Sequence, residues 1–361
     1  MRLSRREFVK TGATVAAAGV LGGATQPGVS IVVDPNEAIA GAAPVVWAAK
    51  ELEQTLAAAG LTVHRLEQVS RASADHICIV VAGSTAAVAQ EMLKASGVTL
   101  AAVPEALALV PGRAGGRPVI LACGHDARGL VYALLDLADR VQNAVDPPAA
   151  FDIHKASAEQ PANAVRSAMR LFSSDVEDKP WYKDREMWPQ YLTMLAAQRF
   201  NRFHLALGLG YDFLRQVTDS YFLFAYPFLL SVPGYNVHVP QLPDTERDRN
   251  LEMLRFISEQ TVARGMQFQL GIWMHGYEWL DSPSPNYTIS GLTRENHGAY
   301  CRDAVRKLLQ ACPAIGGITL RTARAAWRKA ATNSGRRSST ASPLAAGKLK
   351  SICTPRAWTR T

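Results

Sequence analysis

Residues 119–135 read VILACGHDARGLVYALL and contain a strand, a turn and a helix in one short stretch. The first five residues are apolar throughout, which is typical of a strand buried on both faces. Asp126 stands where a side chain can cap the following helix, while Gly124 and Gly129 give the turn backbone freedom. The stretch therefore predicts a helix packed against a sheet, which is the repeating unit of an α/β fold.

The residues before this stretch repeat the same alternation. Cys78 and Cys123 fall within two of the apolar runs, so we expect both to be core residues. The order of the elements predicts an α/β sandwich over residues 28–155. Strands are predicted at 31–33, 62–66, 76–82 and 118–122, and helices at 44–58, 86–95 and 129–141.

After this stretch, a Pro/Ala/Asn segment at residues 160–163 marks a linker, and a second repeat follows. Each unit is an apolar strand, a loop and an amphipathic helix. The strands are predicted at 165–172, 202–209, 267–274 and 315–320, and the helices at 187–198, 245–264 and 293–311. Four such units predict the first half of a TIM barrel over residues 163–322. The fold class is therefore α/β, with a sandwich-type accessory domain ahead of a partial TIM barrel.

The turn in the opening stretch resembles a family pattern. It is similar to the closing strand–turn–helix of the accessory domain that precedes the barrel in α-glucuronidases and family 20 β-hexosaminidases. The resemblance covers residues 30–322 and implies a glycoside hydrolase, although it does not carry over a substrate. Ala133 departs from the pattern, because glycine is usual there. The matching residues are Gly124, Asp126, Arg128, Gly129 and Tyr132.

Polar and aromatic residues follow the predicted barrel strands, at the ends where TIM barrels carry their chemistry. Carboxylates can act as acid and base on a glycosidic bond, aromatic rings stack on sugar faces, and Arg or His can hold hydroxyl or carboxylate groups. The candidate catalytic carboxylates are Asp175 and Glu278. The candidate substrate-binding residues are Arg170, His204, Trp273, His275, Tyr277 and Arg321.

Packing offers an alternative interpretation of several of these residues. The segment 273–279 could be a loop anchored by buried aromatic rings, and the aromatic insertion 221–235 could cover the mouth of the barrel. His204 stands inside an apolar strand, where a core histidine is as reasonable as a site residue. The turn at 124–129 could bind an anion at the helix N-terminus or could serve structure alone.

Composition and charge exclude several function classes. The chain has 361 residues and a formal net charge of +8, but residues 1–322 hold 30 basic and 31 acidic residues. A folded basic face for nucleic acid is therefore not expected. The sequence contains neither a CxxC pair nor a Cys/His spacing typical of zinc, and neither a phosphate loop nor a dinucleotide fingerprint. We expect no cofactor and no metal.

Residues 323–361 form a basic tail of different composition. They contain nine Lys or Arg residues and no Asp or Glu, and 25 of the 39 are Ala, Arg, Ser or Thr. The tail could be a natural disordered extension. We favour a frameshift, because a one-base shift on GC-rich codons restores H-G-E-S-G and then a β-branched strand. That glutamate would follow the fourth strand, so the truncated chain is predicted to be inactive.

The N-terminus predicts export. Arg5 and Arg6 precede Phe8 and Lys10, and an apolar run of small residues follows at 13–24. This order is typical of a twin-arginine signal peptide, here residues 1–27, and the run is too short for a stable membrane span. The predicted location is the periplasm or the exterior, with the twin-arginine machinery as a partner.

The leading hypothesis is an exported glycoside hydrolase that acts on polysaccharide-derived sugars. The alternative is a non-catalytic carbohydrate-binding protein that uses the same strand ends. A barrel isomerase or lyase is a third possibility, which in metal-dependent forms needs carboxylates at several strand ends. In each of the first two cases the partner is a carbohydrate, and nucleic acid is not expected.

Overall fold

The computed structural model describes residues 28–208, 219–273 and 285–320. These residues form two sheets, the first with six strands and the second with four. The predicted signal peptide at 1–27 and the basic tail at 323–361 lie outside the described residues. No helix in the described part of the chain is both long and apolar enough to cross a membrane.

The first sheet has the strand order β2-β1-β3-β5-β4-β6 and is covered by helices on both faces. Helices α1 and α3 cover one face, and α2 covers the other, where the buried thiols of Cys78 and Cys123 lie as predicted. The strands are β1 Val29–Val33, β2 Val63–Leu66, β3 Ile77–Gly83, β4 Leu107–Ala114, β5 Arg117–Gly124 and β6 Ser157–Glu159. The helices are α1 Ala43–Ala58, α2 Ala87–Ser96 and α3 Ala127–Asn143.

Two strands of this sheet were not predicted. β4 pairs antiparallel with β5 across the turn at Gly115 and Gly116, and β6 pairs antiparallel with the start of β4. β6 lies in the chain between the two predicted units, 28–155 and 163–322. The remaining strands are parallel, so the sheet is a mixed one.

The second sheet contains four parallel strands in sequential order, β7-β8-β9-β10, with helices between them. This arrangement is that of the first half of a TIM barrel and confirms the predicted α/β fold class. The strands are β7 Ser167–Leu171, β8 Arg202–Leu207, β9 Gln267–Ile272 and β10 Ile315–Leu320. The helices are α4 Asp175–Tyr182, α5 Met187–Ala197, α6 Tyr226–Leu229, α7 Asp244–Ala263 and α8 Arg294–Ala311.

The two faces of the second sheet differ in polarity because side chains alternate along each strand. On the helix-covered face, Phe203 packs edge-on against Trp188 of α5 with ring centroids 5.6 Å apart. On the other face, His204 lies in register with Gln269 of β9. In a complete barrel this second face points to the interior, so we call it the inner face.

One hydrophobic core connects the two sheets. Helices α1 and α3 of the first sheet contact α7 and α5 of the second, and their buried residues belong to one cluster that extends from Val29 to Ile315, whereas the α2 face of the first sheet has a separate cluster. The strand ends of the second sheet are therefore held by packing that extends through the first.

Candidate functional site

The inner face of the second sheet is polar at positions where barrels usually carry bulky apolar side chains. Arg202 donates from Nε and Nη2 to Oε1 of Gln267, at 3.1 and 2.9 Å. Gln269 donates from Nε2 to Oγ1 of Thr319. These bonds form a side-chain ladder across β8, β9 and β10, and His204 lies beside it.

His204 is half-buried, and its Nε2 has no hydrogen-bond partner among the described residues. Burial lowers the pKa of His204, and the nearby charge of Arg202 lowers it further. The ordinary histidine pKa is about 6.5, so the imidazole is neutral at pH 7. Neutral imidazole can accept or donate a hydrogen bond, which suits it to a hydroxyl group.

Gly271 provides the space that this imidazole occupies. A Cβ atom at position 271 would lie 2.5 Å from Nε2 of His204 and 3.0 Å from Nε1 of Trp273. The backbone N–H of Trp273 donates to the carbonyl of Leu207 at 3.0 Å, which fixes Trp273 at the end of β9. The two predicted residues His204 and Trp273 therefore converge over Gly271 at the carboxyl ends of β8 and β9.

Asp175 begins α4 directly after the loop that leaves β7, with Ser174 as the N-cap. Its backbone N–H donates to Oδ2 of Asp219 at 2.7 Å, and the hydroxyl of Tyr287 donates to its Oδ2 at 3.1 Å. Burial raises the pKa of Asp175, and the carboxylate of Asp219 raises it further. A raised carboxyl pKa is the property that a general acid needs.

A lysine-centred network surrounds this carboxyl group. Lys179 lies 3.8 Å from Oδ2 of Asp175 and 3.1 Å from Oε1 of Glu246, with its ammonium 4.0 Å from the ring centroid of Tyr221. Burial alone would raise the pKa of Glu246, but hydrogen bonds from Lys183, Tyr221 and Lys179 lower it to about 2. The network ties α4 to the start of α7.

Arg170 does not join His204. It lies on the helix-covered face, where its guanidinium carbon is 4.1 Å from the ring centroid of Trp181 and 5.7 Å from that of Tyr191. This cation–π packing holds the guanidinium between aromatic rings of α4 and α5. Its proposed role in substrate binding stays a prediction that this position does not favour.

Four predicted site residues lie outside the described residues: His275, Tyr277, Glu278 and Arg321. Sequence reasoning missed Asp219 and Tyr287, which contact Asp175, and Gln269, which lies in register with His204. Each of these contacts joins residues that are far apart in the sequence. Among the described residues, no group of three His, Cys, Asp or Glu side chains is arranged to hold a metal ion.

The fold is similar to that of glycoside hydrolases. A GH138 enzyme targeting pectin rhamnogalacturonan II matches 81% of this chain and 30% of its own, with 15% identity and a TM-score of 0.51. A GH20 β-N-acetylhexosaminidase from Streptomyces coelicolor A3(2) matches 81% of this chain and 54% of its own, with 16% identity and a TM-score of 0.47. The GH84 structure CpGH84B matches 82% and 41%, with 11% identity and a TM-score of 0.46.

At 15% identity, the GH138 match establishes a glycoside hydrolase-like fold, and the chain spans about a third to a half of the length of the structures that it matches. No protein-family model matches the sequence, and no curated protein matches it significantly.

Proposed function

We propose that this chain is a glycoside hydrolase-type protein that binds polysaccharide-derived sugars at the carboxyl ends of β8 and β9. The observation that carries the proposal is the convergence of His204 and Trp273 over Gly271 on a polar inner face. An indole ring offers an apolar surface for a sugar ring and an N–H donor, and a neutral imidazole offers a partner for a hydroxyl group.

The finer proposal is an α-glucuronidase-like or family 20 hexosaminidase-like enzyme, exported by the twin-arginine route to the periplasm or beyond. The turn at 124–132 and the order of the two sheets support this grouping. In the proposal, the catalytic glutamate follows the fourth strand and is lost from this chain by a frameshift, so the chain binds sugar without cleaving it.

A non-catalytic sugar-binding protein is the second candidate, and one observation favours it. The carboxyl group of Asp175 is engaged by Tyr287 and lies beside Lys179 and Asp219, so its contacts serve the local structure. A carboxyl group held in this way is less available to a glycosidic oxygen than a free one.

Binding is tested by titrating the full chain with glucuronic acid and with N-acetylglucosamine, by calorimetry. We expect binding of at least one of these sugars, and His204→Ala should weaken it on the order of tenfold, the loss of one hydrogen bond. His238→Ala changes an exposed histidine and is the matched control. Circular dichroism establishes that both variants are folded. If neither sugar binds, or if both variants bind alike, the proposed sugar site is wrong.

Hydrolysis is tested on a panel of aryl glycosides and an aryl glucuronoside. The chain as given should release no aryl group, whereas a protein with the reading frame restored near codon 322 should do so. A restored protein that binds sugar but hydrolyses nothing would favour the binding-protein candidate. Hydrolysis by the chain as given would refute the proposed loss of the catalytic glutamate.

A further inference from the structure

A buried carboxylate lies between the two sheets, away from the proposed sugar site. Glu105 precedes β4, has a φ of 68°, and its side chain is 4% exposed. Its Oε1 accepts from Nη1 of Arg128 and, at 2.8 Å, from Nδ2 of Asn201. Its Oε2 accepts from Nη2 of Arg166. Every donor on this carboxylate is a side chain from another element.

Three barrel strands begin beside this carboxylate or beside its partner Arg128. Arg166 is the residue before β7, and Asn201 is the residue before β8. Arg128 donates from Nε to the carbonyl of Gly265 at 2.7 Å, two residues before β9. Glu105 and its partner Arg128 therefore hold the N-terminal ends of three consecutive strands of the second sheet.

Asn201 relates these strand ends to one another. Its Oδ1 accepts from the backbone N–H of Arg166 at 2.9 Å, and its Nδ2 donates to the carbonyl of Ala164 at 2.8 Å. Its own carbonyl accepts from the backbone N–H of Gln267 at 2.9 Å. A one-residue slip of β7 or β9 against β8 would break these bonds, so the network specifies strand register.

The residues of the 124–132 turn hold Glu105 in place. Asp126 accepts from the backbone N–H of Glu105 at 3.1 Å and from that of Gly129 at 2.8 Å. The hydroxyl of Tyr132 donates to the carbonyl of Phe200 at 3.3 Å, beside Arg166. Asp126 itself thus occupies the helix N-terminus where an anion could have bound.

We infer that the Glu105 clamp, formed by Glu105, Arg128, Arg166 and Asn201, is the buried contact by which the first unit sets the register of the barrel strands. Its partner is the barrel of the same chain. The inference does not rest on the proposed sugar site, which lies at the opposite ends of the strands. Glu105 is a positioning residue in this account.

The clamp depends on the negative charge of the Glu105 carboxylate. The carboxylate compensates two guanidinium groups that are 32% and 23% exposed. Removing one partner of a buried ionic group is costly because it leaves the other charges without compensation. Burial alone would raise the pKa of Glu105, but hydrogen bonds from Arg166, Asn201 and Arg128 hold that pKa below its ordinary value. The carboxylate is therefore ionised in its native setting.

The test uses hydrogen exchange of the full chain carrying Glu105→Gln. We expect the backbone amides of Arg166, Arg202 and Gln267 to lose protection on the order of 10²-fold. Amides in the centre of the first sheet, such as those of Ile79 and Leu121, exchange through unfolding of the whole chain rather than through local opening at the strand starts, so they should lose protection only by the smaller global loss of stability. Glu252→Gln is the matched control, because Glu252 is 61% exposed and pairs with Arg185 on the surface.

A second variant keeps the inference testable if Glu105→Gln does not fold. Arg128→Lys retains the positive charge but removes both the Nε donor to Gly265 and the Nη1 donor to Glu105, so the start of β9 should lose more protection, at Gln267, than the start of β7, at Arg166. Equal loss of protection in both sheets for the variant that folds, or protection as high as in Glu252→Gln, would overturn the inference.

Discussion

Asp219 accepts the backbone hydrogen bond of Asp175, which brings two carboxyl groups together beyond the end of β7. The side-chain amide of Asn286 also contacts this pair, because its Nδ2 donates a hydrogen bond to Oδ1 of Asp219 at 3.3 Å. The start of α4 and the two loops that contain Asp219 and Asn286 therefore meet at one carboxyl pair. The protonation of this pair is linked to the packing of those segments.

The raised pKa of Asp175 predicts a pH-dependent contribution to stability. The folded state binds this proton more tightly than the unfolded state, so the stabilisation is present below the unfolded pKa of about 3.9 and is lost as pH rises through the folded pKa. Asp175→Asn should remove this pH-dependent loss of stability, which we expect to amount to about 0.2–1 kcal/mol in the free energy of unfolding. Urea unfolding between pH 4 and pH 7 measures it. Asp244→Asn, at a side chain 82% exposed, controls for the loss of one carboxylate.

Glu246 should show the opposite pH dependence. Its pKa of about 2 lies below the unfolded value of about 4.3, so its stabilisation is present above that value and is lost as pH falls towards 2. Glu246→Gln leaves Lys179 and Lys183 without their shared carboxylate and should cost about 1 kcal/mol at pH 7. The cost should disappear near pH 2. A variant whose deficit is the same at both pH values would contradict this account.

Gly129 is predicted to be intolerant of any side chain. A Cβ atom there would lie 2.2 Å from the carbonyl oxygen of Ala106, a backbone atom that cannot give way cheaply. Gly129→Ala should cost on the order of 2–4 kcal/mol in the free energy of unfolding, measured by urea titration. Gly112→Ala is the control, because its new methyl would meet only the flexible tip of Met92 at 2.9 Å. Equal stability of the two variants would be incompatible with the close approach of α3 to Ala106.

The order of strands and helices could be predicted because it depends on local hydrophobic periodicity. The run 267–272 is apolar enough to indicate a buried strand, and the structure has β9 there. β4 escaped prediction because Pro111 and Gly112, both common turn residues, fall inside it. β4 forms a strand because it pairs with β5 through backbone hydrogen bonds, which its own sequence pattern does not predict.

The site was only partly predictable, because register and long-range contacts decide it. A pattern of alternating residues cannot tell which face of β7 points inward, so Arg170 and His204 could be grouped by sequence although they lie on opposite faces. Asp175 and Asp219 are 44 residues apart, and no motif links them. The prediction of Asp126 as a helix cap succeeded because that contact spans only three residues.

The shared core predicts that the two sheets unfold together. Trp188 is fully buried in α5 and donates from Nε1 to the carbonyl of Tyr182 at 3.0 Å, and it belongs to the cluster that also contains Leu130 and Tyr132 of α3. Trp188→Leu should therefore lower the free energy of unfolding by about 2–4 kcal/mol and weaken both sheets alike. Calorimetry of the full chain should show one transition that moves to lower temperature as a whole, and amides of β5 should lose protection with those of β8. Met194→Ala is the control, because Met194 lies on the same helix and is 50% exposed. This substitution should change the free energy of unfolding little. Two transitions, with only the second displaced by Trp188→Leu, would mean that the sheets fold separately in spite of their common core.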